Sequence, residues 1–172
     1  MKNIFKKMIM AALATALIFA ALPLTSAFAQ GAVPNERLEQ AWARQLKNYE
    51  RLGKGFDDTD AFIAKIQAKI DKAAAKGKDV AALQAALDAF GTALKSGKPI
   101  YDSMSVIVKA HQGFDASGKV TDAEQAKSTV KEFHGKMQEL KSAMNGTGKA
   151  LREAVKAFRE ANKPVGAPQK DT

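Results

Sequence analysis

Three stretches of this chain repeat apolar residues at alternating steps of three and four. The first runs from Leu38 through Trp42, Tyr49, Phe56 and Ile63 to Ile70 and Ala73. The second runs from Val80 through Leu83, Leu87, Phe90 and Leu94 to Met104, Val108 and His111. The third runs from Ala126 through Val130, Phe133, Met137 and Leu140 to Leu151, Val155 and Phe158. Such steps average about 3.5 residues, so each stripe stays on one side of a helix along its whole length. The pattern predicts an all-α fold: an elongated, coiled-coil-like antiparallel bundle of three helices at about 35–76, 79–112 and 121–163. At about 1.5 Å per residue they would be roughly 50 to 65 Å long.

The connections supply their own signals. Asn35 suits an N-cap, with Glu36 and Glu39 in the first turn, where the helix dipole favours negative charge. Gly77-Lys78 breaks the chain and Asp79 is placed to cap the second helix. A loop from Gly113 to Val120 follows, then Thr121 and Glu124 in capping-box spacing. Pro164 stops the third helix, and 164–172 reads as a disordered polar tail.

Helix breakers interrupt all three stripes: Gly53 and Gly55, Gly97 and Pro99, and Gly135. Folding the chain at its two turns places Phe56 level with Pro99 and Lys98 level with Gly135. All three interruptions then share one height, a waist. The unbroken phase across Gly53-Gly55 favours one continuous first helix over two shorter ones.

Residues 1–29 read as a signal peptide rather than as part of the fold. Lys2, Lys6 and Lys7 precede an apolar run from Met8 to Leu22, and Ala27-Phe28-Ala29 is a small-x-small cleavage site. The run is shorter than the roughly 20 residues a membrane span needs, so no stable span is expected after processing. The chain has no Cys, which removes disulfides, thiolate metal sites and Cys-linked lipid. The expectation is an exported protein, periplasmic or extracellular, with residues 30–163 as one bundle.

Charge points to the class of partner. Of 27 basic residues, 24 remain once Lys2, Lys6 and Lys7 are set aside, against 18 acidic ones. The excess is concentrated at Lys149, Arg152, Lys156, Arg159 and Lys163, whose steps of three and four put them on one helix face. That face could dock an anionic envelope component. Export and the lack of interleaved aromatics disfavour nucleic acid. The competing reading is a solvated flank beside the Leu151-Val155-Phe158 stripe.

Residues 113–124 lie loosely on the calcium-binding EF-hand loop. Asp115, Ser117, Thr121 and Glu124 take liganding positions and Gly118 the sharp turn, but Gly113 stands where the leading Asp belongs. A plain turn with a helix cap accounts for the same residues, and no resident metal or cofactor is expected. His111 and His134 are too far apart along the bundle to share an ion. Serines have no His–acid partners in register, no phosphate-binding glycine loop follows a strand, and no catalytic residue emerges.

Two loops carry a resemblance. Gly77-Lys78-Asp79-Val80, and the segment from His111-Gln112-Gly113-Phe114-Asp115 to Val120-Thr121-Asp122, resemble a set of exported, mostly helical bacterial proteins of unassigned function. Those proteins share a GKDV turn and an H-x-G-F-D-x-x-G-x-V-T-D loop, often with a second Asp where this chain has Ser117. The likeness covers the two loops closely and the rest of the mature chain loosely. It implies a helical fold and export, and no activity. In size, charge and export the chain is also similar to basic periplasmic holdase chaperones, although their trimerising strands have no counterpart here. The resulting expectation is a non-enzymatic binding module at the cell envelope. The alternatives are a holdase that grips unfolded protein, or a self-associating spacer.

Overall fold

The computed structural model describes residues 34–163; the expected signal peptide and C-terminal tail lie outside the described residues. Among the described residues there are five helices: α1 Asn35–Asp57, α2 Thr59–Ala74, α3 Ala81–Ala110, α4 Ala123–Met144 and α5 Thr147–Ala161. They form the all-α bundle that the stripes predict. The three expected arms are recognisable as α1 with α2, α3, and α4 with α5.

Two arms are broken where continuous helices were expected. Gly53 and Gly55 are not the cause, because α1 runs through both. The first break falls at Asp58, whose φ of −86° and ψ of −3° leave the helical range only slightly. Thr59 Oγ1 donates to the Gly55 carbonyl at 2.7 Å, a back-bond that bends a helix. The second break is sharper. Asn145 and Gly146 both take positive φ, at 38° and 70°, and two left-handed residues in succession end an α-helix. Thr147 Oγ1 donates to the Met144 carbonyl across the gap at 2.7 Å. Here Asn-Gly, a strong turn dipeptide, overrode a stripe that stays in phase across it. The middle arm is the reverse case: α3 continues through Gly97 and Pro99.

The arms enclose two cores in series. Leu38, Trp42, Leu52, Met104, Val130 and Phe133 belong to the first, made by α1, the C-terminal half of α3, and α4. Ile66, Ile70, Leu87, Phe90, Leu151 and Val155 belong to the second, made by α2, the N-terminal half of α3, and α5. The spine of both is α3, and Phe56 and Met144 touch both cores. Burying an aromatic side chain as fully as Phe133, which is 0% exposed, is worth about 2–3 kcal/mol. A buried polar tie joins α1 to α4: Gln45 Nε2 donates to the Val130 carbonyl at 3.0 Å.

The level where the cores meet differs from the expected waist. A Cβ on Gly97 would lie 2.9 Å from Leu140 Cδ1 and 3.6 Å from Phe56 Cζ. Gly53 lies directly under the Tyr101 hydroxyl. These glycines are therefore seats for large side chains on neighbouring helices. Gly135 has no such neighbour within 4 Å and is not part of the level. Leu140 and Met144 occupy its expected place, about one and a half and two and a half turns further along α4. The expectation failed because it treated the loop before α4 as a simple reversal, whereas that loop folds back on itself.

Candidate functional site

Residues 111–122 form a clasp across one end of the bundle. His111 closes α3 in the left-handed region at φ 32°. Gly113 follows at φ 81°, and its carbonyl accepts from Thr121 N–H at 2.9 Å and Asp122 N–H at 3.3 Å. An antiparallel bridge pairs Phe114 with Val120. Phe114 is 5% exposed and stacks on Trp42 at 5.1 Å between ring centroids. The helix that follows is capped by Asp122, whose Oδ1 accepts from the N–H groups of Glu124 and Gln125 at 3.0 Å each. The expected Thr121–Glu124 capping box is replaced by this cap one residue later. Likewise Asn35 is the first residue of α1 rather than its cap.

The carboxylates of the clasp are engaged by the clasp itself. Asp115 Oδ1 accepts from Ser117 N–H at 2.8 Å, Ser117 Oγ at 2.7 Å and Lys119 N–H at 2.9 Å. The Ser117 hydroxyl, then the backbone N–H groups, hold the Asp115 carboxyl below the usual range. Glu39 reaches over from α1, accepting from Lys119 Nζ at 2.8 Å and Val120 N–H at 3.2 Å. The Lys119 hydrogen bond lowers Glu39, and Glu39 in turn raises Lys119. Of the four residues on liganding positions, Asp115 and Ser117 bond each other, Thr121 donates its N–H to Gly113, and Glu124 sits in the first turn of α4. No group of three or more His, Asp or Glu able to hold a metal occurs among the described residues. An open groove of about 560 Å³ runs beside the clasp, lined by Glu39, Trp42, Leu46, Val108 and His111 among others. His111 Nδ1 lies 2.9 Å from the Lys109 carbonyl, and His134 is on α4 beside Gln138.

The basic row has a different character. Core residues Leu151 and Val155 fix the orientation of α5. Lys149, Lys156 and Lys163 are then exposed, while Arg152 and Arg159 are half-buried at the edge of the second core. Lys149, Arg152, Lys156 and Arg159 lie on one flank of α5, spanning about 15 Å at helical rise, and Lys163 follows two residues past the helix end. The ends of the row are tied to acids of that helix: Lys149 lies 3.8 Å from Glu153, and Lys163 pairs with Glu160. Among the described residues no carboxylate is within ion-pair distance of Lys156.

Sequence reasoning missed the neighbours of this row. Lys65 and Lys69 of α2 are brought to it because Ile66 and Ile70, on the same helix, pack with Leu151 and Val155 in the second core. Lys69 is half-buried. Burial first, then the charges of Arg159 and Lys65, pushes its ammonium group down from its ordinary value. The signal was present in the sequence: Lys65, Lys69, Lys72 and Lys76 step by four, three and four.

No known protein family, curated protein or solved structure matches this chain. Among the described residues no helix is long and apolar enough to cross a membrane.

Proposed function

We propose that this chain is a non-enzymatic, exported binding module that docks an anionic component of the cell envelope through the basic flank of α5. The observation that carries this reading is the row itself: Lys149, Arg152, Lys156 and Arg159 on one face of α5, continued by Lys163 just past its end, with Glu153 and Glu160 the acids of that helix. A row of this kind attracts a negatively charged partner before contact and holds it by many weak charge-assisted bonds. Export rests on Lys2, Lys6 and Lys7, the Met8–Leu22 run and the Ala27-Phe28-Ala29 site.

The holdase alternative needs exposed apolar surface at the waist. Phe56, Tyr101, Leu140 and Met144 fill that level against the two glycine seats. Among the described residues the large apolar side chain that stands exposed is Val106, at 67%. An anionic partner is therefore put first. The test is retention of the chain on envelope material at low salt, compared with a Lys149→Glu, Arg152→Glu, Lys156→Glu variant. Loss of retention with unchanged helicity supports the reading. Equal retention of both chains overturns it.

A further inference from the structure

The break between α4 and α5 carries chemistry of its own. Asn145-Gly146 is the one Asn-Gly pair in the sequence, and both residues are exposed. The Asn145 N–H donates back to the Lys141 and Ser142 carbonyls at 3.1 and 3.2 Å, and the Gly146 carbonyl accepts from the N–H groups of Lys149 and Ala150 at 2.9 and 3.1 Å. The peptide unit between the two residues belongs to neither helix. Among the described residues, neither its Asn145 carbonyl nor its Gly146 N–H has a hydrogen-bond partner, and the Asn145 side chain has none either.

That peptide plane is therefore able to turn by itself. Asn145 at φ 38°, ψ 40° and Gly146 at φ 70°, ψ 5° have the form of the two central residues of a type I′ turn. Flipping only the plane between them gives a type II′ turn, in which Asn145 keeps its positive φ and Gly146 takes a negative one. Glycine accepts either sign at no steric cost. The flip breaks no hydrogen bond within the chain and leaves α4 and α5 where they are. It swings the Gly146 nitrogen to the side of the Asn145 Cβ, within reach of the side-chain carbonyl carbon.

We infer that Asn145-Gly146 is a self-modifying site, at which the flipped turn converts Asn145 into aspartate and isoaspartate with water as the only co-reactant. The Gly146 nitrogen forms a bond to the Asn145 side-chain carbonyl carbon and closes a cyclic imide. The bond from that carbon to the side-chain amide nitrogen breaks, and ammonia leaves with the proton that the Gly146 nitrogen gives up. Water then adds to one imide carbonyl and breaks its bond to nitrogen. Opening at the side-chain carbonyl leaves aspartate. Opening at the backbone carbonyl leaves isoaspartate, with the main chain routed through an extra methylene. No Cβ at Gly146 crowds the attacking nitrogen. Other asparagines are placed against the reaction: Asn48 lies inside α1, and Asn162 Nδ2 donates to the Phe158 carbonyl at 2.8 Å. Loss of ammonia makes the conversion irreversible, so it acts as a clock rather than a switch. It puts a carboxylate at the joint between Met144 and Leu151, both of which pack in the second core. The inference stands independently of the anionic docking role.

The test incubates the folded chain in heavy-oxygen water at neutral pH, beside the same chain in urea. Trypsin then releases residues 142–149 by cutting after Lys141 and Lys149. Oxygen label is expected in this peptide about tenfold faster than in the peptides holding Asn48 and Asn162, which lack the following glycine. In the folded chain its rate should stay within about threefold of the rate in urea, because an exposed turn opens at almost no cost. The product should separate into two peptides of equal mass, one with aspartate and one with isoaspartate. A larger slowing by the fold means that the turn does not flip, and overturns the inference. Labelling no faster than at Asn48 overturns it too, and so does a lone aspartate product, which would come from hydrolysis without the imide. Gly146→Ala sets a Cβ beside the nitrogen, in a place with open space around it, and should slow labelling about tenfold in urea and in buffer alike. An unchanged rate in that variant rules out ring closure.

Discussion

Gly113 is the residue on which the clasp depends most, and replacing it by alanine gives a graded test of how the bundle end is held. Its φ of 81° lies in the left-handed region, where an L side chain costs about 1–2 kcal/mol. Space is the larger problem. A Cβ there would collide with Ala126 N and lie 2.7 Å from both Ala126 Cα and the Asp122 carbonyl oxygen. These are backbone atoms of the first turn of α4 and cannot rotate away. Relief requires the loop to move off α4, which weakens the two hydrogen bonds to the Gly113 carbonyl at about 1 kcal/mol each. It also disturbs the Asp122 cap, worth about 1 kcal/mol. Gly113→Ala is therefore expected to cost about 3–5 kcal/mol, a large fraction of the roughly 5–15 kcal/mol that holds a domain folded. Gly118 has the same φ, but a Cβ there would meet only Trp42 Cδ1 at an ordinary 3.7 Å. Gly118→Ala should then cost only the backbone term, about 1–2 kcal/mol. Gly135 lies inside α4 with open space around its Cβ position, so Gly135→Ala should stabilise by about 0.5–1 kcal/mol. Urea unfolding followed by circular dichroism, with shared m-values, reads all three. Equal losses for Gly113→Ala and Gly118→Ala would refute the backbone collision.

Phe133→Ala removes a side chain that is 0% exposed and meets Trp42 and Tyr49 edge-on at 5.9 and 6.2 Å; urea unfolding should show a loss of about 3–5 kcal/mol. Adding millimolar calcium chloride or EGTA should leave the melting temperature unchanged, because Asp115 already accepts three donors of its own loop. A clear rise with calcium would show that the loop opens to take an ion. Acid should weaken the clasp. Asp115 and Glu39 are held below the usual carboxylate range, so as pH falls the unfolded chain takes up protons first. Their stabilisation is full above the ordinary carboxylate values and lost as pH drops through the lowered folded ones. The fall in melting temperature on acidification should be shallower in Glu39→Gln, and an unchanged slope would remove Glu39 from the explanation.

Much of the fold could be read because the core is one-dimensional. Apolar stripes specify which side of each helix is buried, and Leu38, Leu87 and Phe133 are all buried as their stripes require. The breaks were harder to read because a stripe can keep its phase through them. Met144 and Leu151 both reach the second core on either side of Asn145-Gly146. Glycine was also ambiguous: Gly53 and Gly97 mark close approach between helices, while Gly135 marks nothing comparable. The α5 row was legible from spacing on one helix. Its partnership with Lys65 and Lys69 was not, because which helices share a seam depends on how three arms pack, and that is a tertiary fact.

Salt dependence tests the anionic docking role most directly. Affinity of residues 30–172 for a linear phosphate polymer is to be measured across a range of salt concentrations, alongside the Lys149→Glu, Arg152→Glu, Lys156→Glu variant. With about four phosphates neutralised, the logarithm of the affinity should fall linearly with the logarithm of salt at a slope near −3, taking about 0.7 per contact. The reversal variant should show no measurable binding. Binding that ignores salt, or that the variant retains with the same slope, would contradict a role for this face.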